Sequence, residues 1–502
     1  MARFILANLR AGKFAQAAKI ASQAAVGRAL GGSFVENADV LADNQPVDAT
    51  ARRVVVLDMD PAEVAAKQQQ LPSEVVIEPE ILHYPRVYRP MDFQGIDDAI
   101  LFAPALFGRP AALKVKVRGK NKPLVGAHLI LFLRATGDLK RQMEGITDDQ
   151  GLFQFNFSGS FKPSALVVVP AGQFWPVVVR GPANPITVDC QPLPDAKAGL
   201  GWWHTLLGNT QYSATAGAGI RVGVIDTGAG PHPNLTHGTN IGAFIDGGFF
   251  PDGGADVDSH GTHVSGTIGA RITKNSDYAG LAPGVELFTA RVFPPNRGAN
   301  QGDIVNALDA LSREHKVDLI NMSLGAPIPS QIEHDAIIDA LERGTLCICA
   351  AANSNGPVEY PAAFPEAVAV AAIGRLGWGP PGSLAATRVP LEKERFGDDN
   401  LYHANFSCFG PEITCAGPGV GIIAPVPERL GLMAPHGAMD GTSMASPSVC
   451  GVLAAILAVH ESYTALEKNQ VRSAEALRLL KHHCRTLGLQ AKFEGFGMPR
   501  ID

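Results

Sequence analysis

Two periods of apolar recurrence divide this chain. Between residues 110 and 193, Leu113, Val115 and Val117 alternate with polar residues, and Phe153, Phe155 and Phe157 do so again after the turn Asp148-Asp-Gln-Gly151. Alternation with period two puts one face of each strand in a core. With the short apolar runs 167–169 and 177–179, it predicts a β-sandwich of roughly 85 residues. Upstream, Arg52-Arg-Val-Val-Val-Leu-Asp-Met59 reads as a strand, and Asp60-Pro61 as an N-cap with a first-turn proline. A helical segment follows, and Glu74-Val-Val-Ile-Glu-Pro-Glu-Ile-Leu82 returns as a second strand. Beyond a linker at 192–201, apolar strands are separated by amphipathic helices at 303–315 and 332–343. That pattern implies a parallel sheet with helices on both faces. The expected fold class is α/β, preceded by a small α+β region and the sandwich.

Three polar residues stand where elements of the last region begin or end. Val222-Gly-Val-Ile-Asp226-Thr-Gly228 is a short apolar strand that delivers a carboxylate at its end. Asp258-Ser-His260-Gly-Thr-His-Val264 supplies an imidazole where a turn becomes a helix. Asp440-Gly-Thr-Ser443-Met-Ala-Ser-Pro447 sets a hydroxyl ahead of the apolar run 449–459, which reads as a buried helix. A hydroxyl at the mouth of a helix feels its positive end, which favours the negative charge formed when a serine attacks a carbonyl. Taken singly, Ser443 is an N-cap and Asp226 a turn residue. An α/β-hydrolase elbow is excluded, because it needs Gly where this chain has Ala445. The order Asp, His, Ser with these local sequences resembles the subtilisin-like serine proteases, from about residue 199 to residue 502.

The resemblance implies an endopeptidase that works by acyl transfer and needs no cofactor. Ser443 would be the nucleophile, His260 the general base and then acid, and Asp226 the group that orients the imidazole. His263, one helical turn on, is expected to pack beneath His260. The strand 345–353 ends in Asn353, the expected oxyanion donor, with Asn355 as the competing amide. Ala352 stands where the family usually has Gly, and its methyl is expected to need a negative φ. Ser323, Leu324 and Gly325 match the backbone edge on which a peptide substrate pairs. Glu359, just before Tyr360-Pro361, falls at the base of the pocket for the side chain preceding the cut bond. A carboxylate there favours Arg or Lys, unless the short connection from Asn353 swings it outward into water. His232-Pro-Asn234-Leu has one charge fewer than the calcium-binding pattern of many members, and no metal site is expected.

The same resemblance divides the chain. Residues 1–48 form a basic helical or flexible segment, and 49–92 an α/β region like an inhibitory propeptide, with a cut expected near Tyr84 to Arg89. Residues 105–193 form the sandwich, similar to prealbumin-like modules and a candidate docking surface for a protein partner. Residues 197–502 form the catalytic domain, with a surface insertion of unassigned role at 374–402. The protein is expected to be made as a zymogen. Two other readings use the same residues: a maturation protease dedicated to one intracellular partner, and an inactive scaffold that binds proteins.

Composition narrows the setting. The chain has 502 residues, 46% of them hydrophobic, enough for two or three cores. A net charge of −6 without like-charge runs gives no reason to expect nucleic acid, and no uninterrupted apolar stretch reaches the length of a membrane span. The seven cysteines lack paired spacing and are expected to be reduced, Cys408 and Cys415 included. Residues 1–30 carry five basic residues and no acid, too frequent a charge for a secretory signal. A cytoplasmic location is expected, with export by a non-standard route as the alternative.

Overall fold

The computed structural model describes residues 2–9, 16–31, 38–46, 51–86, 110–135, 139–429 and 431–501. Its first unit is built from β1 (Ala2–Asn8), α1 (Gln16–Gly31), β2 (Asp39–Asn44), β3 (Val54–Met59), α2 (Pro61–Lys67) and β4 (Val75–Pro79), with sheet order β2-β3-β1-β4. This corrects the expectation of a helical or flexible segment at residues 2–8 and 39–44, which are strands, while 16–31 are helical. The start of the chain is an inner strand, antiparallel to both β3 and β4. The reason is burial on both faces: Phe4 and Leu6 join one core with Val55 and Leu57, while Ile5 and Ala7 join another with Val54 and Val56. A strand buried on both sides shows no alternation, so its period is invisible. Arg10 and Lys13, counted above in the basic segment, lie outside the described residues.

The second core of that sheet is shared with the catalytic region. At Gly302 a Cβ would come within 3.0 Å of Val54 Cγ1, so the absent side chain is what lets the strand lie against the helix. Polar contacts ring this apolar patch. Arg52 Nη2 lies 2.9 Å from Asp339 Oδ2, and Ile81 N–H and Pro79 C=O both bond the side chain of Gln301. β5 (Leu82–Pro85) then leaves the unit and runs into the catalytic region.

The second unit holds β6 (Pro110–Gly119), β7 (Lys122–Pro123), β8 (His128–Arg134), β9 (Lys140–Ile146), β10 (Leu152–Ser158), β11 (Lys162–Val169), β12 (Val177–Arg180) and β13 (Ile186–Cys190). One sheet has the order β10-β6-β13 with β7 beside β6, the other β12-β11-β8-β9. Leu113, Val115, Val117, Leu129, Leu131, Phe155 and Val168 share one core, which fits a sandwich. The outer face of the second sheet carries Ile130, Phe132 and Val167, which pack with Leu384. The insertion at 374–402 therefore has a structural place. Val178 N–H donates to Gly382 C=O and Leu384 N–H to Pro176 C=O. Trp378 also lies within 5.8–6.4 Å, ring to ring, of Trp175, Trp202 and Trp203.

The third unit is α/β. Its strands are β14 (Arg221–Asp226), β15 (Thr239–Ile245), β16 (Gly248–Phe250), β17 (Glu286–Arg291), β19 (Leu319–Met322), β21 (Leu346–Ala350), β22 (Val368–Arg375), β23 (Leu401–His403) and β24 (Ile413–Pro418); the two-residue strands β18 (Ala299–Asn300) and β20 (Leu324–Gly325) lie outside this sheet. The order is β16-β15-β17-β14-β19-β21-β22-β23, with β24 also on β22. Strand order reverses on either side of β14, and a crevice opens at such a switch point beyond the carboxyl end of the strand. Asp226 is the last residue of β14. The short hairpin of β25 (Ile422–Pro425) and β26 (His436–Met439) then leads to the chain's most apolar helix, α7.

Numbered in chain order, the helices that frame the crevice are α3 (Trp202–Leu206), α4 (His260–Gly269), α5 (Gln301–Asp309), α6 (Gln331–Glu342) and α7 (Thr442–Val459). α7 is long and apolar enough to cross a membrane, but 89% of that window is buried inside the protein, as in a core helix.

Candidate active site

Asp226 and His260 are both fully buried, and His260 Nδ1 lies 2.6 Å from Asp226 Oδ1. The same carboxylate oxygen accepts from Thr227 N–H at 2.7 Å. One residue that sequence reasoning missed organises this corner. Asp256 Oδ1 accepts from Thr227 Oγ1, Asp258 N–H and Ser259 N–H, while Oδ2 accepts from Thr262 N–H. It therefore caps α4 from outside and ties that helix to the end of β14. Burial pushes the Asp256 carboxyl upward, and the hydrogen bonds from Thr262, Asp258 and Thr227 pull it back. An Asp four residues ahead of a helix-opening His was a legible cap signal. His263 packs beneath: its Nε2 lies 3.0 Å from Ile422 C=O, and burial lowers its pKa to about 3, so it is neutral.

Ser443 lies in the first turn of α7. Its N–H donates to Arg86 C=O at 3.0 Å, and its Oγ donates to Ser323 C=O at 2.9 Å. His260 Nε2 is buried and has no hydrogen-bond partner among the described residues. Pro447 has no N–H for the carbonyl of Ser443 four residues back, and that carbonyl accepts from Ser323 Oγ at 3.0 Å instead.

Asn353 closes the other side. Its Oδ1 accepts from Thr442 N–H at 3.0 Å and Thr442 Oγ1 at 2.9 Å, which turns Nδ2 toward Arg86 C=O at 2.6 Å. Asn355 points elsewhere, accepting from the Arg395 guanidinium. The expectation for Ala352 is corrected: its φ is +91°, in the region that favours Gly. The strained backbone is held at both ends, with Ala352 N–H on Thr442 Oγ1 and Ala352 C=O on Cys408 N–H. Ser259, next to His260, is also strained at φ +131°, and Arg429 donates to its Oγ.

The crevice is occupied by the chain itself. β5 pairs antiparallel with β20, Tyr84 against Gly325 and Pro85 against Leu324, and with β18 on its other edge, His83 against Ala299. Arg86 N–H donates to Ser323 C=O at 3.0 Å. The Arg86 guanidinium forms an ion pair with Glu359, whose other oxygen accepts from Ser354 Oγ at 2.9 Å. Glu359 thus points inward. Three residues back, His83 Nε2 meets Glu333 Oε2 at 3.1 Å with both side chains buried. Glu78 caps α6, accepting from Ser330 Oγ and Gln331 N–H. Where a calcium carboxylate was considered, Asn234 Nδ2 bonds Arg271 C=O and Asp277 Oδ2. Among the described residues no three His, Cys, Asp or Glu side chains cluster as a metal site would need. The seven cysteines are free thiols.

Comparison with known proteins gives the family. Residues 217–497 match the Peptidase S8 model, the subtilase family. The major intracellular serine protease of Bacillus subtilis is 34% identical over 255 residues, 49% of this chain and 70% of that protein. Subtilisin DY of Bacillus licheniformis is 30% identical over 269 residues, 52% of this chain and 84% of that protein. Subtilisin Savinase of Lederbergia lenta is 30% identical over 252 residues, covering 49% and 80%. The chain belongs to the subtilase family and is a subtilisin-like serine endopeptidase.

Proposed function

We propose that this endopeptidase is made as a zymogen, cuts itself after Arg86, and then prefers a basic residue before the bond it cleaves. One observation carries the reading: the Arg86 carbonyl is bracketed by Ser443 N–H and Asn353 Nδ2, with its side chain against Glu359. Two donors on one carbonyl oxygen are what a developing oxyanion needs. The carbonyl carbon is then the atom attacked, and the bond to Val87 the bond that breaks.

In this reading Ser443 Oγ leaves Ser323 C=O, turns to His260 Nε2 and gives up its proton there as it adds to the carbonyl carbon. Asp226 holds Nδ1–H and stabilises the imidazolium. Collapse of the tetrahedral species passes the proton from His260 to the departing nitrogen of Val87. Water then releases the acyl group from Ser443, with His260 again as base. The N-terminal unit acts as an inhibitor because it fills the site as a substrate strand would. Residues 87–109, including Arg89 and Pro90 of the expected cutting window, lie outside the described residues.

Intact-mass analysis tests this. Wild type is expected to yield a fragment beginning at Val87, while Ser443→Ala stays full length. A wild-type protein that remains intact and fully active would sink the zymogen reading.

A further inference from the structure

We propose that the two-sheet domain forms a wall of the substrate cleft on the leaving side, binding apolar side chains of the residues that follow the cut bond. This rests on Arg86 being the residue before that bond. A cavity of about 810 Å³ lies between the outer face of the β12-β11-β8-β9 sheet and the catalytic region. Its catalytic wall includes Ser259, adjacent to His260, and Met439 and Asp440, just ahead of Ser443. Its other wall includes His128, Glu144 and Ile146 from β8 and β9. The volume is in the range of sites that enclose a ligand of several residues' size.

Chain direction selects the occupant. The backbone before the cut bond is spoken for, since Leu82 to Arg86 pair with residues 299–300 and 323–325. An extended chain continuing past the Arg86 carbonyl must cross between Ser443 and His260. Ser259 precedes His260 by one residue and Met439 precedes Ser443 by four, and both line this cavity.

The chemistry of the walls selects the class of side chain. His128 Nε2 and Glu144 Oε2 are 2.9 Å apart and satisfy each other, and Asp440 is paired with Arg388 at 3.2 Å. Arg429, which donates to Asp258 C=O and Ser259 Oγ, and Asn296 also line the cavity, and its apolar share includes Ile146, Phe174, Val426 and Met439. Ile146 stands opposite His128 on the neighbouring strand and is 63% exposed, an aliphatic side chain left uncovered in the lining of this cavity. The family match begins at residue 217, so this wall comes from a part of the chain outside the matched region.

The test uses the self-processed enzyme and three fluorogenic substrates with Arg before the cut. One ends in a small amide, one carries four residues with Leu at the second and third after the cut, and one has Ser there. Wild type is expected to favour the Leu peptide over the Ser peptide by about tenfold in kcat/KM. Ile146→Asp should reduce that preference to threefold or less and leave the small amide unchanged. An unaltered preference in Ile146→Asp, or an equal loss on all three substrates, overturns the proposal. So does an effect that follows residues added before the cut. A wild type that cuts none of the three removes the reading beneath it, an outcome distinct from a change confined to Ile146→Asp.

Discussion

Arg86 and Glu359 form an ion pair in which the side chains are only 16% and 11% exposed. One comes from the strand that fills the crevice and the other from the loop after Asn353. A carboxylate this dry has lost most of its hydration, and the guanidinium replaces it. Glu359 also accepts from Ser354 Oγ, so the base of the proposed pocket is built around a charge.

Glu359→Gln keeps the shape of that base and removes its charge. Wild type is expected to cleave peptides with Arg before the cut about two orders of magnitude better in kcat/KM than those with Leu. The variant should lose most of that ratio through slower cleavage of Arg. Equal ratios in the two proteins would mean that the pocket reads size alone.

Removing Ser443 or His260 should abolish turnover. The expected loss for either alanine variant is about 10⁶ in kcat, a magnitude taken from subtilisin, a member of this same family. Asn353→Ala should lose about 10²–10³, again by that precedent, with little change in KM. Asn355→Ala should matter less, since its side chain faces Arg395. A larger loss from Asn355 than from Asn353 in steady-state kinetics would contradict the geometry.

Ala352 sits at φ +91°, and its methyl costs on the order of 1 kcal/mol there relative to Gly. Ala352→Gly is expected to raise stability by about that amount, part of it offset by greater freedom of the unfolded chain. Denaturant melts of both proteins in a Ser443→Ala background measure it. A destabilised Gly variant would show that the methyl's packing outweighs the strain.

His83 and Glu333 are both fully buried, one on β5 and one on α6. In the Ser443→Ala protein, His83→Ala should weaken the hold on residues 82–86 by about 1.5–3 kcal/mol, the range for a hydrogen bond to a charged group. Faster amide exchange in this strand, with the catalytic core unchanged, is the expected readout. Unchanged protection would leave the backbone pairing as the whole of the grip.

The catalytic region was legible because its chemistry falls at ends of elements. Asp226 ends a strand, His260 opens one helix and Ser443 lies in the first turn of another, so each is flagged by the change of period around it. Strand β1 was not legible, since a strand buried on both faces gives no alternation. Ala352 misled for a different reason: sequence marks an alanine as ordinary, while hydrogen bonds to Thr442 Oγ1 and from Cys408 N–H hold it in a glycine conformation. Arg86 falls within the expected cutting window, but the reading that selects it rests on the two donors to its carbonyl, which no sequence pattern reports. The cavity beside Ile146 depends on two units meeting, which no local pattern reports.

The chain has four tryptophans, and all of them meet at one joint: Trp175 from the two-sheet domain, Trp202 and Trp203 from α3, and Trp378 from the insertion. Indole emission from this protein is therefore a local gauge. It reports the seating of the two-sheet domain on the catalytic region, with no indole in residues 1–86 to contribute. Loss of that unit should leave the spectrum nearly still, while loosening of the joint should shift it. The two events, the proposed release of residues 1–86 and movement of the accessory domain, can be followed separately in one unlabelled sample.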